Sequence, residues 1–172
     1  MSPSDVNYEI FFHATSHENA KNITENGIIL RKGERYKDFS DSAGFYLCND
    51  FKDALIAKWA RHRGPCSTVL VFRVAKAELR GASDLVGLDL RGNIDEWKYV
   101  IQECRRASGP SRQFVEAYQR DDFFEGPLFS EGQSLRNPIP NKDMYHLCIK
   151  SRVCANLFDQ NLHSVLFLEP ES

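Results

Sequence analysis

Two short segments carry the side chains best suited to chemistry, Phe11-Phe12-His13-Ala14-Thr15 and, further along, Ala43-Gly44-Phe45-Tyr46-Leu47. Each brings a polar aromatic ring to the end of an apolar run, an imidazole in His13 and a phenol in Tyr46. Such rings give and accept hydrogen bonds and present flat faces. A third ring, His146, lies in the later apolar run Tyr145-His146-Leu147-Cys148-Ile149. Taken singly, each has an ordinary structural use. A lone strand histidine is more often a satisfied core or surface group, and Tyr46 between Phe45 and Leu47 suits a core tyrosine with its hydroxyl bonded. The pairing of His13 with Tyr46 lifts both above that reading.

The surrounding elements must position these rings. Thr15-x-x-Glu18 has the spacing of a capping box and Gly27 stands where a helix C-cap belongs, so a helix follows the first strand at once. The second strand is entered through Ser40-Asp41-Ser42-Ala43-Gly44 and left through Asn49-Asp50, which caps a helix with Phe51, Ala54, Leu55, Lys58 and Trp59 on one face. Two strand-to-helix units thus each deliver a ring to a strand end. Gly64-Pro65 then breaks the chain, and residues 67–74 read as a central strand buried on both faces. Residues 76–92 read as a loop holding Gly81, Gly87 and Gly92. Asn93-x-x-Glu96 caps a helix that buries Trp97, Val100, Ile101 and Cys104 and ends at residues 107–111. Asp122-Phe123-Phe124 predicts a short strand before a Gly126-Pro127 turn, and residues 129–143, with Gly132, Pro138 and Pro140, a long surface loop. Ser151 caps a helix with Val153, Cys154, Leu157 and Phe158, and residues 163–168 close as a strand. Strands and helices mix without regular alternation, which favours an α+β domain over a doubly wound sheet.

At 172 residues and 42% hydrophobic, the chain reads as one domain over 1–172 with a substantial core. A net charge of -2 argues against a dedicated nucleic-acid binder. Arg105, Arg106 and Arg112 with Lys98 form a local basic cluster, read as solvated helix-end cations, which leaves a nucleic-acid substrate open. There is no apolar N-terminal leader and no bilayer-length apolar run, so a soluble protein is expected. The five cysteines are odd in number and scattered through apolar patterns, which predicts buried free thiols in a reducing compartment, cytoplasmic or nuclear. None has zinc spacing, so no metal is expected. His17, His62 and His163 read as solvent-facing or structural, and Trp59 and Trp97 as core.

In order and spacing, these motifs resemble the ADP-ribosyltransferase superfamily on its histidine–tyrosine, PARP-like branch. Its signature is a histidine before a small residue and Ser or Thr, a tyrosine in Gly-[IF]-Tyr-[FL], and a third residue on a later strand. Asp38-Phe39 before Gly44-Phe45-Tyr46-Leu47, then Lys58-Trp59-Ala60, Asp95-Glu96-Trp97-Lys98-Tyr99-Val100 and Gly126-Pro127, look like a smaller group of such domains in bacteria and fungi, marked by DFxxGFYLT. The resemblance spans most of the chain. It implies a split, bent β-sheet with flanking helices that grips NAD, the co-substrate, in a central cleft.

The activity implied is mono-ADP-ribosylation of a macromolecular acceptor, a protein before a nucleic acid, in a cytosol that could also be a host's. By the same resemblance His13 would hydrogen-bond a hydroxyl of the adenosine ribose, the Ala14 backbone would grip the nicotinamide amide and Tyr46 would stack on the nicotinamide ring. Thr15 and Phe45 complete the cofactor-binding set, and His13, Tyr46 and His146 make the catalytic set. Ala14 stands where glycine is commoner. His146 stands at the place of the family's catalytic glutamate, where the smaller group often has glutamine. An imidazole can hydrogen-bond a ribose hydroxyl but cannot match a carboxylate in neutralising an oxocarbenium-like sugar, which disfavours chain elongation and leaves single transfer. Glu96, Glu125, Glu131 and Asp143 are the carboxylates that could take that part. Two other readings stay open, a catalytically silent NAD- or partner-binding module of the same fold and an NAD-dependent RNA 2′-phosphotransferase.

Overall fold

The computed structural model describes residues 7–30, 39, 44–55, 67–81, 84–130 and 134–168. Two open sheets flanked by helices make an α+β fold. The chain groups into two compact units, each discontinuous in sequence. The first comprises Met1–Ile28, Leu47–Leu85 and Ala155–Ser172, the second Ile29–Tyr46 and Val86–Cys154.

The first unit holds a three-stranded antiparallel sheet in the order β1 (Tyr8–Thr15), β3 (Thr68–Ala75), β7 (Leu162–Phe167). β3 is central, as its apolar run requires, and Val69, Leu70, Phe72 and Val74 are fully buried. Phe158 packs edge-to-face on Phe11 and Phe72, with centroids 5.5 and 5.8 Å away. Helix α1 (His17–Asn26) is capped one residue later than Thr15 predicts: the Asn19 amide donates to Ser16 Oγ at 3.2 Å, while Thr15 stays in β1 opposite Thr68. It ends at Gly27, whose φ of 83° is a conformation that costs other residues a Cβ clash. Residues 51–55 are helical (α2), and the Asp53 amide donates to the side chain of the expected cap Asp50 at 3.1 Å. Lys58, Trp59 and the Gly64-Pro65 break lie outside the described residues.

The second unit carries a four-stranded sheet in the order β2 (Phe45–Leu47, of which Leu47 falls in the first unit), β6 (Pro140–Ile149), β5 (Phe123–Phe129), β4 (Gly87–Asp89). Helix α4 (Ile94–Cys104) is capped by Asn93 and buries Trp97, Val100, Ile101 and Cys104, the face its periodicity predicts. Helix α6 (Arg152–Asp159) starts at Ser151, whose Oγ accepts from the Cys154 amide, and its residues from Ala155 on belong to the first unit. Val153, expected on its buried face, is 60% exposed.

Three expectations are corrected. The loop over 76–92 contains helix α3 (Lys76–Arg80) and strand β4 (Gly87–Asp89), whose first residue, a glycine, lies where a side-chain carbon would come within 2.0 Å of the Phe123 ring and force it to shift. Gly126-Pro127 is no turn but the middle of β5: the register with β6 shifts after Pro127, which accommodates the missing amide, and the Pro127 carbonyl accepts from Trp97 Nε1 at 2.7 Å. The long loop is shorter than expected because β6 begins at Pro140, a first-strand position that proline tolerates. A helix without a sequence prediction, α5 (Arg112–Tyr118), is capped by Ser111, whose own amide donates to the buried carboxylate of Glu103 at 2.7 Å. No helix among the described residues is long and apolar enough to cross a membrane.

Candidate functional site

His13, Ala14 and Thr15 lie in β1 of the first unit, in register with Leu70, Val69 and Thr68. His13 is half-buried, while Ala14 and Thr15 are buried. One residue before His13, the backbone of Phe12 exchanges two hydrogen bonds with Cys48, at 2.7 and 3.1 Å. Cys48 is in turn two residues beyond Tyr46 in the chain. His17 is structural, as one of its two expected roles has it: its ring bonds Thr68 Oγ1 at 2.7 Å and leans on Phe167.

Phe45, Tyr46 and His146 belong to the second unit. Phe45 and His146 are buried, at 8% and 3% exposure, and Tyr46 is half-buried. β2 and β6, adjacent in the sheet, bring Tyr46 and His146 together with ring centroids 6.0 Å apart. Tyr46 is held from a second side. The Phe39 amide donates to its phenolic oxygen at 2.9 Å, and the Phe39 ring lies nearly parallel to it, 15° between planes and 6.5 Å between centroids. The Phe39 carbonyl accepts from Lys150 Nζ at 2.9 Å. Phe39 was legible as half of the Asp38-Phe39 pair, of which Asp38 lies outside the described residues. Lys150 left no sequence signal, because its partner is a backbone carbonyl.

The candidate carboxylates are disposed differently. Register pairs His146 with Gly126, but Glu125 with Leu147 and Pro127 with Tyr145, so Glu125 and His146 point to opposite faces of the sheet. Glu125, 1% exposed, accepts from the Tyr145 hydroxyl at 2.7 Å and pairs with Arg91 at 3.2 Å. Arg91 also pairs with Asp89, the hydrogen bond that chiefly raises its pKa against the cost of desolvation. Glu96 closes the α4 cap with Asn93 and accepts from the Tyr118 hydroxyl at 2.9 Å; burial first, and then this bond, push that phenol up to about 12. Asp143 is exposed on β6, and Glu131 lies outside the described residues.

The basic cluster is engaged locally, with Arg106 on Glu103, Arg112 on Glu116, Lys98 on Asn137 and Arg105 over the Phe129 ring. Cys48, Cys104, Cys148 and Cys154 are buried thiols, and Cys66 lies outside the described residues. Burial pushes the Cys48 thiol up to about 12, with the charges of Asp53 and Asp50 adding, and raises that of Cys154 as well. Among the described residues no group of three or more His, Cys, Asp or Glu side chains could hold a metal ion. No protein-family model matches the sequence, and no curated protein matches it.

Proposed function

We propose that the chain is a mono-ADP-ribosyltransferase that takes ADP-ribose from NAD and passes it to a macromolecular acceptor, a protein side chain. The observation that carries this reading is the ring contact of Tyr46 with His146, the second and third positions of the family pattern, which are far apart in sequence and 6.0 Å apart in space. Burial and the Phe39 contacts give Tyr46 a fixed face on which a nicotinamide ring can stack. His146 offers its imidazole to a ribose hydroxyl. The bond from the ribose anomeric carbon to nicotinamide breaks with its electron pair going to the positively charged ring nitrogen, so the leaving group departs neutral and needs no proton. The acceptor then bonds that carbon and releases its own proton to solvent.

The imidazole at the third position also favours a second reading, a module that binds NAD without turning it over. Incubation with a cell lysate and NAD labelled in its adenylate tests these. Label on protein is the expected result. Label on nucleic acid moves the acceptor class, transfer of a phosphate from RNA to ADP-ribose marks the phosphotransferase, and NAD binding without label marks the silent module.

A further inference from the structure

The Gly126-Pro127 motif has no part in the reaction as described and Phe39 enters it only through its contact with Tyr46, yet Phe39 and Gly126 meet at Tyr46 and His146. Gly126 is in register with His146, and a side-chain carbon on it would lie 3.1 Å from Leu90 Cβ and 3.6 Å from Phe39 Cζ. The tight contact is with Leu90, while the fully buried Phe39 ring lies at ordinary van der Waals distance from that position, so Phe39 packs directly over the strand beside His146. That ring faces Tyr46, its amide bonds the Tyr46 hydroxyl, and its carbonyl is held by Lys150. The Lys150 ammonium is itself seated over the Phe124 ring at 4.6 Å, and its backbone amide is tied to the Asp122 carbonyl at 2.8 Å.

We propose that Lys150 and Phe39 form a clamp that sets the angle of the Tyr46 ring, making Lys150 a positioning residue for NAD. This rests on the transferase reading of the same site. The phenolic oxygen lies on the Cβ–Cγ axis, so the Phe39 amide bond holds the ring against swinging about Cα–Cβ, while the Phe39 ring packed along one face resists its turning about Cβ–Cγ. The ring then meets a planar ligand with little orientational freedom left to lose. Lys150 fixes the other end of the same peptide residue, so loss of its ammonium frees Phe39 first and Tyr46 through it.

The test compares Lys150→Met with Lys150→Arg by hydrogen exchange and NAD kinetics. In Lys150→Met the Phe39 amide should exchange faster by about tenfold or more, one lost hydrogen bond's worth, while the Leu147 and Cys148 amides keep their wild-type rates. The KM for NAD should rise by about tenfold with kcat moved much less, the pattern of lost ligand positioning. Lys150→Arg keeps a cation at the carbonyl and should restore both. An unchanged Phe39 amide, or loss of NAD affinity that Lys150→Arg does not restore, overturns the clamp. A wild-type protein that neither binds nor consumes NAD overturns the transferase reading and the clamp's part in it, while Phe39 exchange still decides whether the clamp exists.

Discussion

Replacing Glu125 separates a carboxylate that holds the fold from one that serves the reaction. Its side chain is 1% exposed, accepts from the Tyr145 hydroxyl at 2.7 Å and pairs with Arg91 at 3.2 Å. Removing one partner of a buried charged pair costs about 3–5 kcal/mol when the other is left stranded. Arg91 is not stranded, because it is about half exposed and keeps Asp89 at 2.9 Å, so its part of the loss is small. The Tyr145 hydroxyl loses a bond to a charged acceptor, worth about 1.5–3 kcal/mol. Glu125→Gln keeps an acceptor oxygen and should cost about 1–2 kcal/mol, whereas Glu125→Ala adds a cavity and should cost about 3–4 kcal/mol. Urea denaturation of both, in a double-mutant cycle with Tyr145→Phe, measures this. NAD turnover by the folded Glu125→Gln protein should match wild type, since Glu125 faces away from His146. A Glu125→Gln protein as stable as wild type, or one folded but inactive, would refute the reasoning.

Three further outcomes follow from local geometry. Gly87→Ala should cost about 2–3 kcal/mol by overpacking, because its new carbon would fall 2.0 Å from the Phe123 ring, and Phe123→Leu in the same chain should recover part of the loss in midpoint. The Asp121 carboxyl is raised from 3.8 to about 6, first by burial and then by Asp122 and Glu96, with Lys150 opposing. The folded state therefore holds that proton more tightly, so the stability contributed is present below about pH 4 and lost as pH rises through about 6. Asp121→Asn should accordingly stabilise by about 1 kcal/mol at pH 7, after discounting for partial exposure, and by nothing near pH 4; equal gains at both pH values would contradict it. Cys48 and Cys154, whose thiols burial holds protonated, should resist alkylation at pH 8 until the chain unfolds, and rapid labelling of the native protein would show the burial to be wrong.

Elements with both a periodic apolar face and a cap were legible in the sequence. Asn93 with Trp97, Val100, Ile101 and Cys104 gave α4, and the unbroken run of β3 gave a central strand. Elements fixed by tertiary partners were not. β4 is three residues long and exists through its parallel pairing with β5, and Pro127 sits inside β5 only because the register with β6 shifts beside it. α5 had a signal, Ser111 before Phe114 and Tyr118, masked by the neighbouring Gly109-Pro110. At the candidate site the rings were readable as residue types at strand ends. The distribution of the carboxylates was not, because which face Glu125 takes depends on a cross-strand register that spacing alone does not reveal.

The central claim is tested most directly by calorimetric titration of NAD into the wild-type protein and into folded Tyr46→Ala. Stacking of a planar base on an aromatic ring is worth about 1–3 kcal/mol, so the account predicts saturable binding to wild type and an affinity about 10- to 100-fold lower in Tyr46→Ala. Wild type that shows no heat of binding, or a Tyr46→Ala protein that binds NAD as tightly as wild type, would contradict it.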